Sequence, residues 1–168
     1  TEITSSEWSV YLDAMEASTI GRTMTIEYIP DREDTPTKTF TYDGIVVGEL
    51  WLCNGQSNMA FDIGGLTANY PEDMAPYGEI GNLNMLRVYT VPILEAKEPI
   101  VYNDGANWVV PEKGKLDRIS ATALGFASHL QTALGEDVPV GVIVAAQGGS
   151  LIEKWLGNQA ITNAGTTY

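Results

Sequence analysis

Two serines in this sequence follow glycine-rich turns, and one of them has the surroundings of a nucleophile. Asn54-Gly55-Gln56-Ser57-Asn58 closes the run Val46-Val47-Gly48-Glu49-Leu50-Trp51-Leu52-Cys53. Gln147-Gly148-Gly149-Ser150 closes the apolar run of residues 138–146. A serine hydroxyl attacks a carbonyl when a base takes its proton and nearby donors hold the oxyanion that forms. Glycine allows backbone to approach a ligand closely, and the first N–H groups of a helix have no partner within it. Ser57 is therefore the candidate nucleophile. The same position also suits a turn or cap serine. Met59 stands where a G-x-S-x-G elbow would carry its last glycine, which counts against an α/β-hydrolase fold.

The partners that a serine needs are scarce. The only histidine, His129, falls inside an amphipathic helical pattern and reads as a solvated or half-buried helix residue. Asp62, Asp104, Asp117 and Glu153 are available carboxylates, but none forms a pair with a spacing suited to acid–base work. Cys53 is the only cysteine, so no internal disulfide forms, and it reads as a core residue beneath the serine turn. No cysteine or histidine cluster supports a metal, and no cofactor is implied. Trp51 and Trp155 read as core aromatics, whereas Trp108, in a loop, could stack on a sugar.

Composition narrows the class of partner. The chain has 168 residues, 44% of them apolar, which suits a globular core. Nine Lys and Arg against 22 Asp and Glu give a net charge of −13. A nucleic-acid binder or a protein attached to an anionic membrane draws its affinity from cationic side chains, so both are disfavoured. No apolar run approaches the roughly 20 residues of a membrane span. Thr1-Glu2-Ile3-Thr4 has neither the basic nor the apolar region of a signal peptide.

The elements that must position Ser57 follow from periodicity. Residues 1–44 alternate apolar and polar side chains in three places: Trp8, Val10 and Leu12; Met24, Ile26 and Tyr28; Phe40 and Tyr42. Each predicts a strand with one buried and one wet face. A charged, Pro-containing link, residues 31–36, joins the last two, and so few strands need partners to close a sandwich. Residues 45–168 change character. Residues 45–53 predict a strand covered on both faces, as in a parallel sheet. Residues 60–82 read as irregular, 85–91 as a second strand, and 92–118 as irregular again. Residues 120–134 predict a helix with Ser120 as N-cap, a stripe of Ala123, Phe126, Ala127, Leu130 and Leu134, and Gly135 after its end. Residues 138–146 predict a third strand. Ser150 and Glu153 have capping-box spacing for a last helix through Trp155 and Leu156. The order strand, strand, helix, strand, helix is that of a parallel three-layer sheet, whose site lies at the carboxyl ends of the strands. Both glycine-rich turns then fall on one edge.

Val47-Gly48-Glu49-Leu50-Trp51-Leu52-Cys53-Asn54-Gly55-Gln56-Ser57-Asn58-Met59 resembles the nucleophile block of the sialate O-acetylesterase-like carbohydrate esterases, within the SGNH (GDSL-like) hydrolase superfamily. Residues 138–143 followed by Gly148-Gly149-Ser150-Leu151-Ile152-Glu153-Lys154-Trp155 resemble a second family block, with Ser150 at the family's threonine. Ser120-Ala121 and Phe126-Ala127 resemble a third, and Trp8-Ser9-Val10 through Tyr42 resembles the end of a flanking β-sandwich. The resemblance covers nearly the whole chain. It implies a three-layer α/β/α SGNH-hydrolase (flavodoxin-like) fold, incomplete, over residues 45–168, with the end of a jelly-roll-like β-sandwich domain over residues 1–44. It implies an ester hydrolase that removes acetyl groups from sugar hydroxyls through Ser57. The Ser57 N–H, with Gln56, Asn58, Gly148 and Gly149, would serve the oxyanion and substrate. The implied partner is an acetylated sugar or glycan, and the implied compartment is secreted, periplasmic or lysosome-like.

The departures are as specific as the matches. The family's catalytic Asp-x-x-His lies near the far end of a longer chain and has no counterpart here. A Q-G-E-x-N block expected after Trp155 is also missing, and His129 falls where the family commonly has a charged residue. The sequence therefore reads as a fragment whose histidine and carboxylate come from the C-terminal remainder of the protein, as a second chain or segment. The competing reading is a non-catalytic carbohydrate-binding or interaction module without a working triad.

Overall fold

The computed structural model describes residues 9–32, 34–94 and 106–163. Trp8 and Asp104 lie outside these residues. Strands β1 (Ser18–Tyr28) and β2 (Lys38–Val47) form an antiparallel pair by themselves. The register is regular from Met24↔Tyr42 to Tyr28↔Lys38 and shifts nearer the other end, where Gly44 takes φ 72°. Two corrections follow. Residues 9–17 form no strand. The pair also lacks the expected buried face: Ile20, Met24, Tyr28, Phe40 and Tyr42 are all exposed, because among the described residues the two-stranded ribbon has no further strand to pack against.

The apolar run 45–53 is not one strand. β2 keeps residues up to Val47, and β3 (Glu49–Gly55) starts a different sheet. Gly48 makes the break. A Cβ there would lie 2.1 Å from the Pro139 carbonyl oxygen, and the next residue, Glu49, donates its N–H to that same oxygen at 3.0 Å. After β3 come α1 (Ser57–Ala60), α2 (Ile63–Asn69), a 3₁₀ turn Pro71–Met74, α3 (Ala75–Gly78) and a 3₁₀ turn Leu83–Met85. The stretch expected to be irregular is therefore a chain of short helices. β4 (Leu86–Thr90), α4 (Ala121–Leu134), β5 (Val140–Ala146) and α5 (Asn158–Asn163) complete the order. Among the described residues, none of these helices is long and apolar enough to cross a membrane.

The sheet is parallel, in the order β3-β5-β4. Leu86, Val88, Val140, Val142, Val144 and Cys53 share its buried face. They join Ala123, Leu124 and Ala127 of α4, Ile63 of α2, and Leu116 and Ile119 in one core. Small alanines let α4 approach the sheet closely. This is an incomplete α/β fold of the expected kind, with described helices covering one face. On the other face, Leu50 and Leu52 are 61% and 63% exposed, so β3 is not buried on both sides as its composition suggested.

The face that α4 buries also differs from the predicted stripe. Phe126 and Leu134 are exposed, while Ser128 and Gln131 are buried. The polar pair tolerates burial because Asn82 reaches it. Asn82 Nδ2 donates to Gln131 Oε1 at 2.6 Å and to the Ser128 carbonyl at 3.0 Å, and Ser128 Oγ donates back to Asn82 Oδ1 at 3.0 Å. Phe126 meets Trp51 edge-on, with centroids 5.4 Å apart.

Candidate active site

β3 and β5 run in register to their ends, pairing Gly55 with Ala146. The Gln147 N–H then donates to the Gly55 carbonyl at 3.1 Å, so the two turns that follow are joined at the carboxyl edge of the sheet. Gly55 takes φ 154°, a conformation that favours glycine, and the chain reverses into α1 with Gln56 before its first residue. Ser57 opens that helix, so its N–H and that of Asn58 have no partner within it. Gln56, Ser57 and Asn58 are all exposed.

Three contacts from the start of α4 hold this turn. Thr122 Oγ1 donates to the Asn58 carbonyl at 3.0 Å, and the Ala121 N–H donates to the Phe61 carbonyl at 3.0 Å. Ser120 Oγ lies 3.8 Å from Met59 Sδ and accepts the Ala123 N–H at 3.1 Å, so one buried hydroxyl caps α4 and touches the turn. α2 is anchored from the same side. Its first N–H groups reach the Ile119 and Asp117 carbonyls, each at 2.9 Å, and Asp62 Oδ1 accepts the Gly65 N–H at 2.7 Å. Asp62 is thus a capping carboxylate. Burial raises the Cys53 thiol above its ordinary pKa, which keeps it neutral beneath the turn.

The second turn differs from its predicted form. Ser150 does not cap a helix. Its Oγ donates to the Gln147 carbonyl at 2.8 Å and accepts Trp155 Nε1–H at 2.9 Å, closing the turn and pinning the tryptophan. A short 3₁₀ turn, Ile152–Trp155, follows Leu151, with no side-chain cap. The hydroxyl is spent on its own turn, so the capping box never forms. Gly149 needs its φ of 74°, and a Cβ on Gly148 would meet nothing within 4 Å, so the turn fronts open space.

Among the described residues, the partner of the Ser57 hydroxyl orients it without activating it. Its Oγ donates to Gln56 Oε1 at 2.6 Å, and a carboxamide cannot take the proton. His129 is exposed on α4, with Nδ1 2.8 Å from the Gly125 carbonyl of its own helix. Among the described residues, no group of three or more His, Cys, Asp or Glu could hold a metal ion. Beside Ser57 opens a cavity of about 370 Å³ lined by Ser57, Asn58, Phe61, Asn69 and Tyr70. Sequence reasoning missed its last three residues because residues 60–82 read as irregular. The Asp62 cap, three residues before Gly65, was the signal available.

Comparison with known proteins identifies the family and the fold. Residues 47–167 match the family model described as carbohydrate esterase, sialic acid-specific acetylesterase. The chain is 27% identical over 170 residues to the sialate O-acetylesterase of Rattus norvegicus, covering 96% of this chain and 29% of that protein. The sialate O-acetylesterase of Homo sapiens is 26% identical over 169 residues, with 96% and 30% covered. The chain thus spans under a third of the length of these curated relatives. A crystal structure of a carbohydrate acetylesterase from Xanthomonas citri superposes with a TM-score of 0.62 at 26% identity, covering 74% of this chain and 27% of that one. With the glycine-rich serine turn and the parallel sheet both inside the matched region, this chain belongs to the sialic acid-specific acetylesterase family of carbohydrate esterases.

Proposed function

We propose that Ser57 is the nucleophile of an ester hydrolase that removes O-acetyl groups from carbohydrates. The observation that carries this reading is the exposed Ser57 hydroxyl on a braced strand-end turn, joined to the Gly148-Gly149 turn through Gln147 and Gly55. Ser57 Oγ attacks the acetyl carbonyl, the bond to the sugar oxygen breaks, and that oxygen leaves with a proton as the free sugar hydroxyl. Water then attacks the acetyl–Ser57 ester, releases acetate and restores the serine. The Ser57 N–H, with donors from the Gly148-Gly149 turn, holds the oxyanion of both tetrahedral intermediates. Gln56 and Asn58 flank the reacting carbonyl.

The base belongs to polypeptide beyond these residues. Ser57 donates to an amide oxygen, and the one histidine is engaged with its own helix. In this reading the histidine and the carboxylate that orients it come from a further segment or second chain of the protein, which is supported by the chain spanning 29% of the length of its rat relative. The test is p-nitrophenyl acetate turnover by the full-length protein before and after Ser57→Ala. A loss of about 10³-fold or more in kcat is expected for removal of a nucleophile. Unchanged turnover in the variant would remove Ser57 from the mechanism.

A further inference from the structure

Ser57 stands on a helix too short to hold its own shape. α1 has four residues, far below the roughly 12–15 at which an isolated helix becomes even marginally stable in water, so its direction is set by what it is tied to. Within the turn, the Gln56 carbonyl accepts the N–H groups of Met59 at 3.0 Å and Ala60 at 2.8 Å, and the Gln56 side chain accepts the Ser57 hydroxyl. Gln56 therefore holds both the turn and the direction of the serine. The peptide plane between Asn58 and Met59 links this residue to α4. Its N–H end is bonded to the Gln56 carbonyl, and its C=O end accepts Thr122 Oγ1 at 3.0 Å. With both ends held, the plane has a fixed orientation, and Ser57, one residue before it, keeps its aim.

The other ties from α4 to this turn are of a different kind. Ser120 also caps α4, and the Ala121 N–H that reaches the Phe61 carbonyl is backbone. Thr122 is an exposed side chain in the first turn of α4, and its hydroxyl reaches 64 residues back along the chain to the Asn58 carbonyl. That carbonyl lies at the end of α1, where carbonyls have no helical partner. Water could satisfy it almost as well, so an exposed bond of this kind adds little to stability. Water could not fix its direction. We propose that Thr122 is a positioning residue for the hydrolysis: by tying the Asn58 carbonyl to α4, it holds the Ser57 hydroxyl and N–H at the angle that attack and oxyanion binding require. This rests on the esterase reading of Ser57 and adds to it a residue from a second element. A displacement of about 1 Å between reacting groups costs about 100-fold in rate, so even a partial loosening of this tie registers in kcat.

The experiment measures p-nitrophenyl acetate turnover by the full-length protein as wild type, Ser57→Ala, Thr122→Val, Thr122→Ser and Thr132→Val. Thr122→Val keeps the branched shape and loses the donor. Its kcat should fall about tenfold with KM within about twofold, and the rate of fluorophosphonate labelling at Ser57 should fall in parallel. Thr122→Ser keeps the hydroxyl and should return kcat to within about threefold of wild type. Thr132 Oγ1 donates to the Ser128 carbonyl at 2.9 Å near the other end of α4. Thr132→Val therefore removes a similar bond far from Ser57 and should leave kcat within about twofold. The unfolding midpoints of both Thr122 variants should lie within about 3 °C of wild type, as for other surface substitutions. Unchanged kcat in Thr122→Val, or a serine variant as slow as the valine one, would overturn the positioning role while Ser57→Ala still abolishes turnover. So would a midpoint lowered beyond that limit, or an equal loss of kcat in Thr132→Val, since either assigns the hydroxyl to stability alone. Undiminished turnover in Ser57→Ala would instead remove the esterase reading, and the positioning role with it.

Discussion

Gly48→Ala should damage this fold more than any other glycine-to-alanine change in the sheet region. Its Cβ would lie 2.1 Å from the Pro139 oxygen, 2.9 Å from the Pro139 carbonyl carbon and 3.1 Å from the proline ring. Ordinary contact begins near 3.4 Å, so the intrusion exceeds one ångström, and its nearest targets are backbone atoms that cannot swing aside. Relief requires β3 and β5 to separate where they first meet, at the Glu49 N–H bond to the Pro139 carbonyl. Overpacking costs about 1–3 kcal/mol and the lost hydrogen bond about 0.5–1.5 kcal/mol. Together they predict about 1.5–4.5 kcal/mol, which for a chain of this size lowers the unfolding midpoint by about 3–18 °C. Gly81→Ala, where a Cβ meets nothing within 4 Å, is the control and should shift it by under about 3 °C. Thermal unfolding followed by far-ultraviolet circular dichroism reads both. If Gly48→Ala melts within about 2 °C of wild type, the close approach of the two strands is wrong.

Two further outcomes follow from the supports of the serine turn. Ser120→Ala removes the cap of α4 and should cost about 1 kcal/mol, with Ser120→Thr retaining most of it; urea unfolding that shows no difference between the two variants would reject the cap. The Cys53 thiol, raised by burial, should react with iodoacetamide at pH 8 at least about tenfold more slowly in the folded protein than in urea, and equal rates would contradict its burial. The same shift sets a sign with pH. The unfolded thiol ionises near its ordinary value of 9.0 while the folded one resists, so its contribution to stability is complete below that value and declines as pH rises past it.

The sequence is most legible where one local rule acts without competition. Ser120, the fourteen helical residues and Gly135 form a helix with both ends marked, and the structure places α4 there with Ser120 as its cap and Gly135 at φ 105°. The predicted strand 138–146 likewise becomes β5 from Val140 onward, and both glycine-rich turns fall on one edge. Failures came where tertiary contact overruled a local pattern. Residues 45–53 look continuous to any hydropathy rule, yet the Pro139 carbonyl beside Gly48 divides them. The buried face of α4 includes Ser128 and Gln131 because Asn82, more than forty residues earlier, satisfies them. Ser150 has capping-box spacing but spends its hydroxyl on Gln147 and Trp155. Residues 60–82 carry Gly64, Gly65, Pro71 and Pro76, and the short helices there depend on anchors such as the Ile119 and Asp117 carbonyls, which no local window reveals. The cavity wall lies in that stretch, so the serine turn at the strand end was legible and its surroundings were not.

The central claim is that Ser57 is a working nucleophile, and trapping it covalently tests that claim most directly. The full-length protein, treated with a fluorophosphonate and digested, should show one stoichiometric adduct on the peptide carrying Gln56-Ser57-Asn58, with acetylesterase activity lost in parallel. Ser57→Ala should show neither. An adduct on another serine, or full inactivation with Ser57 unmodified, would contradict the account.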